Sequence, residues 1–149
     1  QLSILVQGFQ LLGKPIIYTE QTPDKLGPTL KSISKFLVDH SCIEKETFSC
    51  MGNDMFRLTL NEIEFDTIIL AGIETHICVY QTAIGLIDYG YKVETVTNAV
   101  SSRFDINNKV GLERVHDAGS KLTTVELILF YLQKQAVGNR FKKLIQLVK

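Results

Sequence analysis

The sequence predicts an α/β protein of three layers, helices on both faces of a mainly parallel, Rossmann-like sheet. Three observations carry that prediction. Short apolar runs of strand length alternate with segments of helical period, the pattern of a parallel sheet covered on both sides. Helix-stopping residues stand where three of the helical segments must end: Gly13 followed by Pro15, then Gly90 and Gly119. The 149 residues, 45% hydrophobic and 21% charged, show no internal repeat and no low-complexity linker. They read as one globular domain, residues 1–149, long enough to bury a real core.

Taken in order, Leu2, Leu5, Val6, Phe9 and Leu12 share one helical face, so the chain opens in a helix. Pro15-Ile16-Ile17-Tyr18-Thr19 is a short buried strand, followed by a loop over Gln21 to Pro28 that is dense in turn formers. A weakly amphipathic stretch predicts a helix over residues 30–38, Cys42-Ile43-Glu44-Lys45 a short strand, and Glu46-Thr47-Phe48-Ser49 a loop. Residues 53–60 form a helix capped by Asn53. An apolar strand over 66–71 leads to a helix over 75–89 with Tyr80, Ala83, Ile84 and Ile87 on its apolar stripe. Lys92 to Thr97 alternates as a strand does, 107–118 is helical, Lys121-Leu122-Thr123 is a last strand, and 124–133 and 141–148 are helices.

Sixteen basic and sixteen acidic residues cancel, which argues against a nucleic-acid or membrane field. The basic cluster Arg140-Phe141-Lys142-Lys143 reads as the solvated face of an amphipathic helix. No apolar run approaches the roughly 20 residues that span a bilayer. Three cysteines, at 42, 50 and 78, are an odd count without Cys-x-x-Cys spacing, which fits free thiols in a reducing compartment. The expected location is cytoplasmic, with mitochondria as the alternative.

The segment Ala71-Gly72-Ile73-Glu74-Thr75-His76-Ile77-Cys78-Val79 holds the chemistry. A buried strand runs into Gly72, Thr75 stands as the N-cap, and Cys78 falls in the first turn of the next helix. Ligands of open α/β sheets bind at that edge, where unpaired helix N–H groups favour anions and thiolates. Two readings follow, a nucleophilic thiol or a buried structural cysteine.

Gly72-Ile73-Glu74-Thr75-His76-Ile77-Cys78-Val79, Leu86-Ile87-Asp88-Tyr89-Gly90-Tyr91 and Asn98-Ala99-Val100-Ser101-Ser102-Arg103 together resemble the isochorismatase-like cysteine hydrolase family. Thr19-Glu20-Gln21 with Leu26-Gly27-Pro28-Thr29 narrows the resemblance to its isochorismatase domain-containing branch. Glu44-Lys45-Glu46-Thr47-Phe48-Ser49 fits the family's lysine-bearing loop, and Ala118 to Glu126 its final strand–helix step, so the likeness spans nearly the whole chain in order. It implies Cys78 as nucleophile and Lys45 as the cation that stabilises its thiolate. It also implies a cis peptide between Ile73 and Glu74, with the N–H groups of Glu74 and Cys78 forming an oxyanion hole. Glu20 and Phe48 would line the substrate pocket, an ordinary core aromatic being the other reading of Phe48. The implied activity is hydrolysis of a small amide or carbamoyl compound through a thioacyl intermediate, with no cofactor, no catalytic metal and a homo-oligomeric assembly. Family members that bind a metal carry histidine in the region where Glu20-Gln21-Thr22-Pro23 stands here.

The chain departs from the family at its start. The family's general-base aspartate ends a first strand that precedes the first helix, and neither Asp24 nor Asp39 has that context. The domain is therefore expected to be N-terminally incomplete, with an unfilled place in the middle of its sheet and unpaired backbone on both neighbours. Either a longer protein supplies that strand, or the chain is a catalytically inactive homologue acting as an oligomeric binding or scaffold protein. Nucleotide binding is the weakest reading, since no Gly-x-Gly-x-x-Gly follows a strand.

Overall fold

The computed structural model describes residues 1–149. The chain runs α1 (Leu2–Leu11), β1 (Tyr18–Gln21), α2 (Pro23–Leu26), α3 (Lys31–Ser34), β2 (Cys42–Lys45), a 3-10 turn (Cys50–Gly52), α4 (Asp54–Asn61), β3 (Thr67–Ile73), a π turn (Thr75–Val79), α5 (Tyr80–Asp88), β4 (Lys92–Ser101), α6 (Asp105–Asp117), β5 (Lys121–Thr123), α7 (Val125–Gln133) and α8 (Gly138–Val148). Every strand pair is parallel. Parallel neighbours need crossovers, and helices supply them.

Alternation along the central strands divides the core in two. On β3, Ile69 and Ala71 face one cluster, built on Leu5, Val96, Val125, Ile128, Leu129 and Leu144 from α1, β4, α7 and α8. Ile68 and Leu70 face the other, built on Phe56, Leu60, Ala83, Leu86, Val93 and Val115 from α4, α5, β4 and α6. A period-two strand with both faces apolar can satisfy both only between two helical layers, so the three-layer prediction holds. Fully buried leucines such as Leu86, Leu129 and Leu144 each contribute about 1.5–3 kcal/mol by leaving water. The amphipathic end of the chain covers its own domain: α8 packs on α1 and α7, with Phe141 edge-on to Phe130.

The parallel strands form two ladders, β1–β2 and β3–β4–β5. One edge of β1 and one edge of β3 pair with no strand. The apolar residues of β3, Ile68, Ile69 and Leu70, are accordingly only half-buried.

Local differences from the expected elements have identifiable causes. The first strand begins at Tyr18 rather than Pro15, because it is defined by pairing with Cys42–Lys45 and Pro15 has no N–H to offer a ladder. Past Ser34 the expected helix over 30–38 tightens into i→i+3 bonds, Leu37 N–H to Ser34 and His40 N–H to Leu37, and most of its side chains stay exposed. Without a buried face, propensity alone does not sustain a short helix. The Gln21–Pro28 loop contains the single helical turn α2, started by Pro23. Asn53 caps α4 as expected, its Oδ1 accepting from Phe56 N–H at 2.9 Å.

Candidate active site

The site sits past the C-terminal end of β3. Between Leu70 and Gly72 the β3–β4 register shifts: β4 spends Thr95 to Val100 where β3 spends only Leu70 to Gly72. Gly72 adopts φ +122°, a backbone that L side chains rarely accept. The strand then delivers Ile73, a cis peptide to Glu74, and the π turn that carries Cys78. The expected geometry is corrected here in two respects. Cys78 lies in a π turn, not in the first turn of an α-helix, and π turns recur at functional sites. Thr75 does not cap the helix: its side chain is fully buried and Oγ1 donates to Asn108 Oδ1 at 2.6 Å. Glu74 takes the N-cap place without a side-chain cap bond.

Because β4 continues to Ser101 rather than stopping at Thr97, it brings the following residues alongside the turn. Glu74 Oε1 accepts from Arg103 N–H at 2.9 Å and from Arg103 Nε at 3.0 Å. These contacts, the backbone bond first, hold the Glu74 carboxyl below its ordinary range. His76 Nδ1 is 3.0 Å from Ser102 Oγ. From α6 comes Asn108, and Gly111 lies against the His76 backbone so closely that a Cβ there would stand 2.8 Å from His76 N and 2.9 Å from His76 Cα. The turn is thus held from three sides, by an ion pair and by hydrogen bonds to residues 26 to 33 positions away. The Glu74 N–H itself donates to no group of the chain.

Lys45 ends β2 and is 5% exposed. Buried lysine is rare unless its charge is met. Here the three ammonium protons meet three carbonyl oxygens: Gln21 Oε1 at 2.5 Å, Thr47 O at 3.0 Å and Phe48 O at 3.0 Å. The β1–β2 register places Gln21 directly beside Lys45, and the Cys78 thiol faces the same Gln21 oxygen at 4.0 Å. The structure therefore brings Cys78 and Lys45 to one point through Gln21, a residue that sequence reading left unassigned. Strand alternation was the available signal. If Lys45 faces the site, its register partner must face it too.

The same alternation turns Glu20 the other way. Its carboxylate meets Thr29, whose N–H donates at 2.6 Å. Thr29, through side chain and backbone, holds the Glu20 carboxyl below the ordinary range. Phe48 is 53% exposed, so it is not a core aromatic, and its carbonyl is one of the three that hold Lys45. A lowered folded-state pKa contributes stability that is present above the unfolded value of about 4.3 and is lost as pH falls through the folded value. The Thr29 amide is accordingly expected to lose hydrogen-exchange protection as pH falls below the ordinary carboxylate range, and Glu20→Gln is expected to flatten that dependence. A protection factor independent of pH in the parent protein would contradict it.

All three cysteines are free and half-buried. Burial, and then the Glu20 charge, push the Cys42 thiol up, which leaves it mostly protonated at neutral pH. A surface cleft lined by Phe65, Asp66, Tyr89, Gly90 and Tyr91 adjoins the start of β3, the opposite end from Cys78. No helix is long and apolar enough to cross a membrane.

Comparison with known proteins agrees with this architecture. A family model described as Isochorismatase domain matches residues 1–126. The chain is 38% identical to the secreted isochorismatase effector Isc1 of Phytophthora sojae, over 97% of this chain and 71% of that protein. Among solved structures, the MAR1 ribonuclease of Caenorhabditis elegans superposes with a TM-score of 0.90 at 32% identity, over 99% of this chain and 76% of that one. The YcaC product of Escherichia coli, described as an octameric hydrolase of unknown specificity, shares the fold with a TM-score of 0.89 at 21% identity, over 98% and 74% of the two chains. With its helices on parallel strands and a family match over most of its length, the chain belongs to the isochorismatase domain family of hydrolases.

Proposed function

We propose that the chain carries a cysteine hydrolase site for a small amide or carbamoyl compound. The observation that supports this most directly is the convergence of Cys78 and the buried Lys45 on one oxygen, Gln21 Oε1, at the C-terminal edge of parallel strands. In the first half-reaction the sulfur attacks the carbonyl carbon, and the new oxyanion is received by the N–H groups of Glu74 and Cys78. The C–N bond then breaks, and the amine leaves with the proton that the thiol gave up. Water attacks the thioester in the second half-reaction, releasing the acid and restoring the thiol. Lys45 supplies the positive charge that favours the thiolate, Phe48 stands at the exposed side of the site, and Glu20 secures the Thr29 loop behind it.

The partner is a small molecule rather than a nucleic acid, since the chain has no net charge with which to neutralise a phosphate backbone. Self-association is part of the proposal, with Leu127, Tyr131 and Val137 exposed. So is a cytoplasmic location, in keeping with three free thiols.

One observation favours the other reading, an inactive homologue acting as a binding or scaffold protein. Lys45 spends its three donors on the carbonyl oxygens of Gln21, Thr47 and Phe48 rather than on the Cys78 sulfur. Alkylation separates the two. With iodoacetamide at pH 7, read by peptide mass spectrometry, an activated Cys78 is expected to react at least about tenfold faster than Cys42 and Cys50. Equal or slower reaction at Cys78 would give the site to the scaffold reading.

A further inference from the structure

We infer that Gln21 is a positioning residue of this site: its side-chain carbonyl, shared between the Lys45 ammonium and the Cys78 sulfur, sets how closely Lys45 can approach the thiol and so governs its reactivity. The inference rests on the cysteine hydrolase reading above and adds the residue that governs the nucleophile.

The geometry leaves the Gln21 amide one orientation. Its Nε2 donates to Glu46 O at 2.7 Å, while its Oε1 accepts from Lys45 Nζ at 2.5 Å. Flipping the amide would set a donor against an ammonium and an acceptor against a carbonyl, losing both bonds. The oxygen is therefore what the sulfur meets. A thiol S–H can donate to it across 4.0 Å. A thiolate has nothing to donate and would face the negative end of the amide dipole.

Lys45 is committed in the same way. An ammonium has three donors, and all three are engaged, with Gln21, Thr47 and Phe48. No donor remains for sulfur. Two of the acceptors are main-chain carbonyls of the loop after β2, whereas the third belongs to a side chain that can rotate. Freeing Lys45 for a thiolate thus requires the Gln21 contact to open, and the same rotation withdraws the opposing dipole from Cys78. One movement changes both terms in the direction that favours attack.

The test compares the pH profile of Cys78 alkylation in the parent chain, Gln21→Glu and Gln21→Leu, by peptide mass spectrometry. Gln21→Glu neutralises Lys45 and sets a carboxylate beside the sulfur, so its profile is expected at higher pH, with the rate at pH 7 lowered at least about tenfold. Gln21→Leu removes the acceptor and releases Lys45 to the sulfur, so its profile is expected at lower pH. Opposite shifts from one position are not the signature of lost packing, which would move both variants the same way. Profiles that coincide with the parent's, or move together, overturn the assignment of Gln21 while a selectively reactive parent Cys78 leaves the hydrolase reading standing. A parent Cys78 no faster than Cys42 and Cys50 overturns both. If either variant folds poorly by circular dichroism, the parent protein decides. In a 15N-labelled sample the Gln21 side-chain amide signals are expected to titrate with the midpoint of Cys78 alkylation, and flat signals overturn the proposal.

Discussion

Replacing Cys78 by alanine is expected to lower hydrolysis of small amides at least about a thousandfold, the scale seen when an enzyme loses its nucleophile, while leaving the fold intact. Cys78 is half-buried and the polar contact of its sulfur is the long one to Gln21. Removing it leaves a small space at the edge of the site and orphans no buried partner. The Lys45 ammonium keeps its three carbonyls, so no uncompensated charge is created. Ammonia or amine release across a panel of small amides, measured beside the thermal midpoint, checks both halves. Full turnover by a folded Cys78→Ala protein would place the chemistry on another group and remove the thioacyl route.

Gly111→Val is expected to destabilise the protein by about 1–3 kcal/mol, as overpacking does, and to erase the alkylation advantage of Cys78. Helix α6 approaches the nucleophile turn across a single hydrogen's width. A Cβ at 111 would stand 2.8 Å from His76 N and 2.9 Å from His76 Cα, and backbone cannot rotate out of the way. Either α6 withdraws, taking Asn108 from Thr75, or the turn moves with Cys78 on it. Gly8→Ala is the matched control. Its Cβ would run first into the side chain of Leu129 on the other face of the sheet, so it is expected to cost stability without changing thiol reactivity. Thermal melts and alkylation rates on the two variants separate the effects. If Gly111→Val retains the selectivity of Cys78, the turn does not depend on α6.

These expectations differ in how far they were visible beforehand. The layer architecture was plain in the sequence because its signals are local: an apolar run between Asp66 and Gly72, helical stripes beside it, glycines at the ends. The position of Cys78 after an apolar strand was equally local, and so was the Asn53 cap. Lys45 was different. Nothing in the residues around it marks a buried cation, and only the family resemblance singled it out.

What stayed hidden depends on register and on chain segments far apart. Gln21 and Lys45 are neighbours only because β1 and β2 pair with Tyr18 beside Cys42, and a shift of one residue would have turned Glu20 to the site instead. The contacts of Glu74 with Arg103, His76 with Ser102 and Thr75 with Asn108 exist because β4 takes an irregular path past Thr95, which no periodicity announces. Thr75 shows the competition most directly. By local rules it caps a helix, yet in the fold its hydroxyl is drawn to α6, and the first turn opens into a π turn. Local patterning was enough for the fold class and for the place of the thiol, since both follow from burial of apolar faces along neighbouring residues. The surroundings of that thiol were decided by tertiary structure, because hydrogen bonds and close packing between distant segments select one geometry among several that local preference would allow.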